Sequence, residues 1–378
     1  MPLTPEKTPS VANPIRVMVV DDSAVIRGFL TRFIESDPDI KVVASASNGQ
    51  LAVNNMGPAK FDVVVLDIEM PVMDGMTALP LILQADPSVQ VIIASTLTKA
   101  NAAITLKAFE MGASECLAKP TSHELSGSNA FQDELVQKVK TLGLVARKKR
   151  GSGEKPAAAK SAITAAPVVT APKKFALRSE LIKYAPDIIA VGSSTGGPQA
   201  LLQFFTDLKG KVRQPIFVTQ HMPPTFTTIL AEHIAKQSGL LCHEAKEGDI
   251  IEGGHIYLAP GNFHMTVKDL SGKRVIALNQ DAQENFCRPA VDPMMRSLIS
   301  VYGKKILAVI FTGMGADGLK GCQQLVEAGG TVLAQDEATS VVWGMPGAVA
   351  MAGICTQVLP LGLMAKAVRE YADRGGTL

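Results

Sequence analysis

The chain has 378 residues, 47% of them hydrophobic and 19% charged, with a formal net charge of +2, which predicts an ordinary globular protein of about two domains. The near-balanced charge argues against a general nucleic-acid binder, and no apolar run approaches the roughly 20 residues that a membrane span needs. The five cysteines, Cys116, Cys242, Cys287, Cys322 and Cys355, form no C-x-x-C pair, and this odd, scattered set predicts a reducing, cytoplasmic setting rather than a disulfide framework.

Residues 1–14, polar and proline-rich, predict a disordered lead-in with neither signal peptide nor anchor. From Ile15 apolar runs alternate with helical patterns. IRVMVV precedes a helix from Ser23 to about Ser36, and KVVASA a short helix near Gln50. FDVVVL precedes a helix around Met76 to Gln84, VQVIIAS precedes ITLKAFEMG, and ECLAK comes before a helix ending near Leu142. Five βα units with uninterrupted Val/Ile runs predict a doubly wound, flavodoxin-like parallel sheet over residues 15–142.

In such a sheet the functional crevice lies beyond the carboxyl ends of the strands. That rule collects Asp21 and Asp22 after the first run, Asp67 after the third, Ser95 after the fourth and Lys119 after the fifth. Converging carboxylates repel one another, and hard oxygen ligands with open positions suit Mg²⁺. Asp67 could then accept a phosphoryl group, with Lys119 pairing its oxygens and the Ser95 hydroxyl donating to one. A single acid at a strand end is usually a solvated loop residue; five suitable residues at one edge argue for a site.

VDDSAVIR, LDIEMPVMDGM, IASTLT and GASECLAKP together resemble the receiver domain of two-component response regulators over its whole length. The resemblance implies that Asp67 is the phosphorylated residue, that Asp21, Asp22 and Asp67 hold the metal, and that Ser95 and Lys119 are the switch hydroxyl and the phosphoryl-binding lysine. It also implies a cis peptide before Pro120.

Residues 143–180 are rich in Ala, Pro and Lys without amphipathic period, and predict a flexible basic linker. The run Arg147, Lys148, Lys149, Arg150 within it is either simply solvated or a contact for an anionic surface.

Residues 181–373 predict a second, mostly parallel α/β domain. DIIAVG leads into PQALLQFF, and QPIFVTQ into TFTTILAEHIAKQ. HIYLAP with HMTVKD reads as a β-hairpin insertion, followed by KILAVIFTG, a helix from Gly318 to Ala328, and TVLAQ. Between the first strand and helix, Gly192-Ser193-Ser194-Thr195-Gly196 fits G-x-S-x-G, the sharp turn that exposes a nucleophilic serine. Such a turn can equally cradle a phosphate or merely pack, but the absence of a following lysine removes the P-loop reading.

The crevice rule again collects one edge: Ser194, His221 after the second run, and Asp317 after KILAVIFTG. A serine hydroxyl becomes a nucleophile when a neutral histidine takes its proton and a carboxylate fixes the ring. Each member has a plainer reading: His221 could end a strand, His264 is the rival histidine, and Asp317 could cap a helix or belong to a calcium loop. The chain order Ser, His, Asp also differs from that of the α/β-hydrolases. Gly313-Met314-Gly315-Ala316-Asp317-Gly318 matches G-x-G-x-x-G with Asp336 further on, which keeps a dinucleotide-binding oxidoreductase as an alternative. Against it, Asp317 would repel a pyrophosphate at the helix N-terminus.

GSSTGGPQAL, TQHMPPTFT, EGDIIEGGHIYLAPGNFHM, CRPAVDPMMRSL, FTGMGADGLKG and AQDEATSVVWGMP resemble, over nearly the whole second domain, the catalytic domain of the chemotaxis protein-glutamate methylesterases, the CheB family. The resemblance implies that Ser194 attacks glutamate γ-methyl esters of chemoreceptors, His221 is base then acid, Asp317 orients His221, and the N–H groups near Thr195 and Met314 stabilise the oxyanion. It implies glutamine deamidation as a further activity, no cofactor in the catalytic domain, phosphorylation by the chemotaxis histidine kinase, and an unphosphorylated receiver that blocks the catalytic crevice. A catalytically silent receiver-adaptor is the alternative from another class. A DNA-binding output is disfavoured because no basic helix-turn-helix pattern is present, and neither nucleic acid nor membrane insertion is expected.

Overall fold

A computed structural model of the protein describes residues 13–96, 98–119, 129–151, 175–179, 184–209 and 212–374. The chain divides into two compact units.

The stretch 15–151 follows β1 (Ile15–Val20), α1 (Ala24–Ile34), β2 (Ile40–Ala46), α2 (Gly49–Asn55), β3 (Val63–Asp67), α3 (Gly75–Ala85), β4 (Gln90–Ser95), α4 (Lys99–Glu110), β5 (Glu115–Ala118) and α5 (Asn129–Gly151). Its parallel sheet has the order β2-β1-β3-β4-β5, so the direction of winding reverses between β1 and β3. Every side chain of β3 and β4 is buried, as expected of strands covered on both faces. Ser23, Asn48 and Asp74 each accept a backbone N–H as helix N-caps, which fixes where α1, α2 and α3 begin.

One boundary differs from the sequence expectation. The helix expected to end near Leu142 continues as α5 to Gly151, so the basic run is helical rather than linker. Its cause is the buried carboxylate of Asp62, which accepts Arg147 Nε at 3.2 Å and Arg150 Nη1 at 2.5 Å. A buried charge without partners is costly, and these two guanidinium groups tie the last helical turns to the sheet. The lead-in up to residue 12, the peptide before Pro120 and the linker residues 152–174 lie outside the described residues.

The C-terminal unit follows β6 (Ile188–Ser193), α6 (Gly197–Leu208), β7 (Ile216–Gln220), α7 (Phe226–Ser238), β8 (Leu241–Glu244), β9 (His255–Leu258), β10 (His264–Leu270), β11 (Lys273–Asn279), α8 (Val291–Tyr302), β12 (Ile306–Ile310), α9 (Leu319–Glu327), β13 (Thr331–Gln335), α10 (Met345–Met351), β14 (Gln357–Leu359) and α11 (Leu361–Ala372). A parallel sheet of order β14-β13-β12-β6-β7-β9-β8 forms the centre, and the expected parallel α/β class is borne out. The direction of winding reverses between β6 and β12, the position where open α/β sheets place their sites.

The hairpin expectation was half right. HIYL is β9, a parallel member of the main sheet, while the antiparallel partner of HMTVKDL is KRVIALN, with His264 opposite Asn279. A two-residue register pattern cannot say which neighbour a half-buried strand takes. The core against β6 and β12 is made by Val291, Met294, Met295 and Leu298 of α8, a helix the sequence reading did not set out. Phe175, in the expected linker, packs its ring on Trp343 at 6.1 Å. Among the described residues, no helix is long and apolar enough to cross a membrane.

Candidate active site and phosphoacceptor crevice

At the β1/β3 reversal, the carboxylates of Asp21, Asp22 and Asp67 come within 4.8 Å of one another. Lys119 Nζ reaches Asp21 Oδ2 at 2.8 Å and Asp67 Oδ2 at 2.7 Å, and Asp67 Oδ1 accepts the Ile68 N–H at 2.7 Å. Burial, with a further push from Asp21, raises the Asp67 pKa against the opposing pull of Lys119. Three acids, two of them buried, facing one lysine form a donor set suited to a hard divalent cation. Gly75 has to be glycine here: a Cβ would lie 2.0 Å from the Asp67 carbonyl oxygen. Ser95 ends β4 buried, with its hydroxyl donating to the Thr96 carbonyl at 3.4 Å rather than to the acids.

The second cluster lies at the β6/β12 reversal. β6 ends in Ser193, and Gly196 takes a left-handed backbone (φ 74°) so that the chain can turn into α6. A Cβ on Gly196 would meet Val341 Cγ2 at 2.5 Å, and one on Gly197 would meet Gln220 Oε1 at 2.0 Å. Gln220 staples this turn: Oε1 accepts the Ser193 hydroxyl at 2.7 Å, and Nε2 donates to the Ser194 carbonyl at 2.9 Å. Ser194 is half-buried at the tip, and the Gly313 Cα abuts it, since a Cβ there would be 2.9 Å from Ser194 Cβ. Thr195 lies buried in the same turn, and Met314 follows Gly313 directly.

His221 follows β7, its N–H donating to the Ser193 carbonyl at 3.2 Å. Its Nε2 lies 2.8 Å from Asp317 Oδ2 and its Nδ1 3.3 Å from Cys287 Sγ. The structure therefore joins the expected histidine and acid. It does not join the serine: Ser194 Oγ has no hydrogen bond among the described residues, because Cys287 stands at the nitrogen that Asp317 leaves over.

Asp317 is 1% exposed and surrounded by donors. Oδ2 accepts the Val291 N–H at 2.6 Å, while Oδ1 accepts Asn285 Nδ2 at 2.8 Å, the Gly318 N–H at 3.0 Å and the Asp292 N–H at 3.2 Å. It thus sits at the positive end of α8. Burial pushes its pKa up, but His221 and these N–H groups outweigh burial and hold the carboxyl below its ordinary value. Asp292, in the first turn of α8, returns the favour to α9 by accepting the Gly321 N–H at 2.8 Å. Burial raises the Asp292 pKa, and Asn285 Nδ2 bridges the two acids. After the Gly313–Gly318 loop, the Gly318 and Gly321 N–H groups are already taken by the Asp317 and Asp292 carboxylates, which disfavours a pyrophosphate there and with it the dinucleotide reading. The rival His264 has both ring nitrogens committed, to the Ala282 carbonyl at 3.0 Å and the Ala290 N–H at 3.2 Å.

The His221 imidazole is buried, which opposes its charge, yet Cys287 and Asp317 together push its pKa above the usual 6.5. The base becomes available only as pH rises through that raised value. Cys287→Ala removes one group favouring the imidazolium, so the acid limb of the kcat/KM profile for ester hydrolysis should move to lower pH. An unmoved limb, or one displaced upward, contradicts the coupling.

The sequence reading missed Gln220, Asn285, Cys287 and Asp292. Cys287 and Asp292 stand in the stretch CRPAVDPMM, but nothing in spacing points their side chains at His221 and at α9.

The CheB methylesterase family profile matches residues 189–368, and the response regulator receiver domain profile matches residues 17–126. The chain is 54% identical over 375 residues to a protein-glutamate methylesterase/protein-glutamine glutaminase of Rhodospirillum rubrum, covering 97% of each chain. It is 53% identical to one of Rhodospirillum centenum, covering 96% of this chain and 95% of that one. The crystal structure of the Thermotoga maritima CheB methylesterase catalytic domain shares 40% identity over 50% of this chain and 99% of that chain, with a TM-score of 0.48.

Proposed function

The chain belongs to the CheB methylesterase family, with a response regulator receiver in front of the esterase domain, and on that premise we propose that Ser194, His221 and Asp317 carry its chemistry and Asp67 its control. It is a protein-glutamate methylesterase and protein-glutamine glutaminase, acting in chemotactic adaptation. The observation that carries the residue assignment is the 2.8 Å His221–Asp317 bond beside the serine turn, at the winding reversal of the sheet.

The substrate is the γ-methyl ester of a glutamyl side chain on a chemoreceptor. Asp317 holds His221 through Nε2, which leaves Nδ1 for proton transfer, so the Ser194 hydroxyl displaces the Cys287 thiol there on substrate binding. Catalytic hydrogen bonds of this type commonly tighten only in the complex. Ser194 Oγ then attacks the γ-carbonyl carbon, and its proton passes to His221. The tetrahedral oxyanion faces the N–H groups of Thr195 and Met314, a contribution of order 10²–10³ in rate per donor. His221 returns the proton to the departing methoxide as methanol. Water, deprotonated by His221, attacks the acyl-enzyme, and collapse frees the glutamate and Ser194. A glutamine amide follows the same route with ammonia leaving.

In the receiver, Asp21, Asp22 and Asp67 fit Mg²⁺, which when bound offsets the charge that a phosphoryl group adds. Asp67 accepts that group from the chemotaxis histidine kinase. Lys119 moves from the carboxylates to the phosphoryl oxygens, and the Ser95 hydroxyl turns from Thr96 toward them. In full-length protein, a small-molecule phosphodonor should raise methanol release from methylated receptor membranes by a factor of roughly 5–150, the usual span of coupling energies. Asp67→Asn should lose the stimulation and keep the basal rate; equal stimulation in wild type and Asp67→Asn contradicts the assignment.

A further inference from the structure

Residues Glu284 to Cys287 form a two-residue hairpin turn, closed by the Cys287 N–H on the Glu284 carbonyl at 2.9 Å. Both central residues, Asn285 and Phe286, have positive φ, 52° and 63°. Glycine and asparagine suit such positions, and phenylalanine is out of place in them. The Phe286 side chain is nevertheless 95% exposed, more than any other large hydrophobic side chain among the described residues. A bulky ring in an unfavourable backbone conformation, with no packing inside the protein to compensate, asks for a partner outside it.

The turn is fastened to the reacting groups on both sides. Asn285 Nδ2 holds Asp317 Oδ1 at 2.8 Å, and Cys287 Sγ holds His221 Nδ1 at 3.3 Å. The Asn285–Asp317 bond stays when Cys287 yields Nδ1 to Ser194, so whatever the ring touches is placed relative to the acid and the base that acid holds. The charges beside it are already engaged: Glu284 pairs with Arg296, and the Arg288 guanidinium donates to Asn262 Oδ1 at 2.7 Å and to the Gln280 and Asp281 carbonyls at 2.8 and 2.9 Å. The turn thus offers an apolar contact flanked by satisfied ions. An esterified glutamate is itself neutral, so no ion pair is available to seat it, and apolar contact beside it adds to the hydrogen bonds that its carbonyl accepts.

The geometry points to Phe286 as a substrate-positioning residue that packs against apolar surface of the receptor bordering the esterified glutamate. This inference rests on the methylesterase reading. It is tested by initial rates of methanol release over a range of methylated receptor membrane concentrations, for full-length wild type, Phe286→Ala, Phe286→Gly and Phe286→Trp. Losing the ring should raise KM about tenfold, the size expected for one buried aromatic contact, with kcat unchanged. Phe286→Gly should behave like Phe286→Ala although it relaxes the turn, and Phe286→Trp should keep the wild-type KM. A wild-type KM in Phe286→Ala or Phe286→Gly, or a fall in kcat at constant KM, overturns the inference while leaving the esterase reading intact. A wild type that releases no methanol overturns both.

Discussion

Asp317→Asn should lower kcat for methyl ester hydrolysis by about 10⁴, the scale seen when a triad carboxylate becomes an amide. The reason lies in the donors around it. Both carboxylate oxygens accept: Oδ2 from His221 and the Val291 N–H, Oδ1 from Asn285, Asp292 and Gly318. An amide has one acceptor oxygen, so its NH₂ must face either the His221 side or the Asn285 side. Facing His221, it presents a donor to Nε2, selects the wrong tautomer and points Nδ1–H at the serine. Facing the other way, it leaves Asn285 and two backbone N–H groups opposed by a donor, at a cost of about 1–3 kcal/mol per unsatisfied group. Loss of rate with far-UV circular dichroism unchanged is the expected result, together with a lower Tm. A variant within tenfold of wild type would remove Asp317 from the catalytic array.

Ser194→Ala should have the larger effect, about 10⁶-fold, because the covalent route is lost outright and only ground-state binding and oxyanion donors remain. The change is small sterically. Ser194 Oγ makes no hydrogen bond among the described residues, and the turn is held by the Gln220 bonds to Ser193 and to the Ser194 backbone, which alanine keeps. Stability should therefore stay near wild type, separating this variant from Asp317→Asn. The contrast is diagnostic: one residue is chemically needed and structurally dispensable, the other is both.

Much of this was legible in the sequence, and the reason is the crevice rule. Parallel strands written as IRVMVV, FDVVVL, DIIAVG and KILAVIFTG announce themselves by apolar runs, and the residues just past each run had to meet at one edge. Asp21, Asp22, Asp67 and Lys119 meet there, as do His221 and Asp317. What stayed hidden depends on partners distant in sequence. The helical state of Arg147 to Arg150 is decided by Asp62, 85 residues before Arg147, and no window of local propensity contains that acid. The role of Cys287 depends on a ring 66 residues earlier, and HIYL could be placed beside β7 only once the sheet existed. The orientation of Ser95 toward Thr96 is likewise a rotamer choice, which spacing does not record.

The measurement that tests the account most directly is methanol release from methylated chemoreceptor membranes by full-length protein and its Ser194→Ala variant, each with and without a small-molecule phosphodonor. Release by wild type that rises with phosphodonor and is abolished in Ser194→Ala under both conditions is the predicted result. Release that persists in Ser194→Ala, or no release from wild type under either condition, would contradict it.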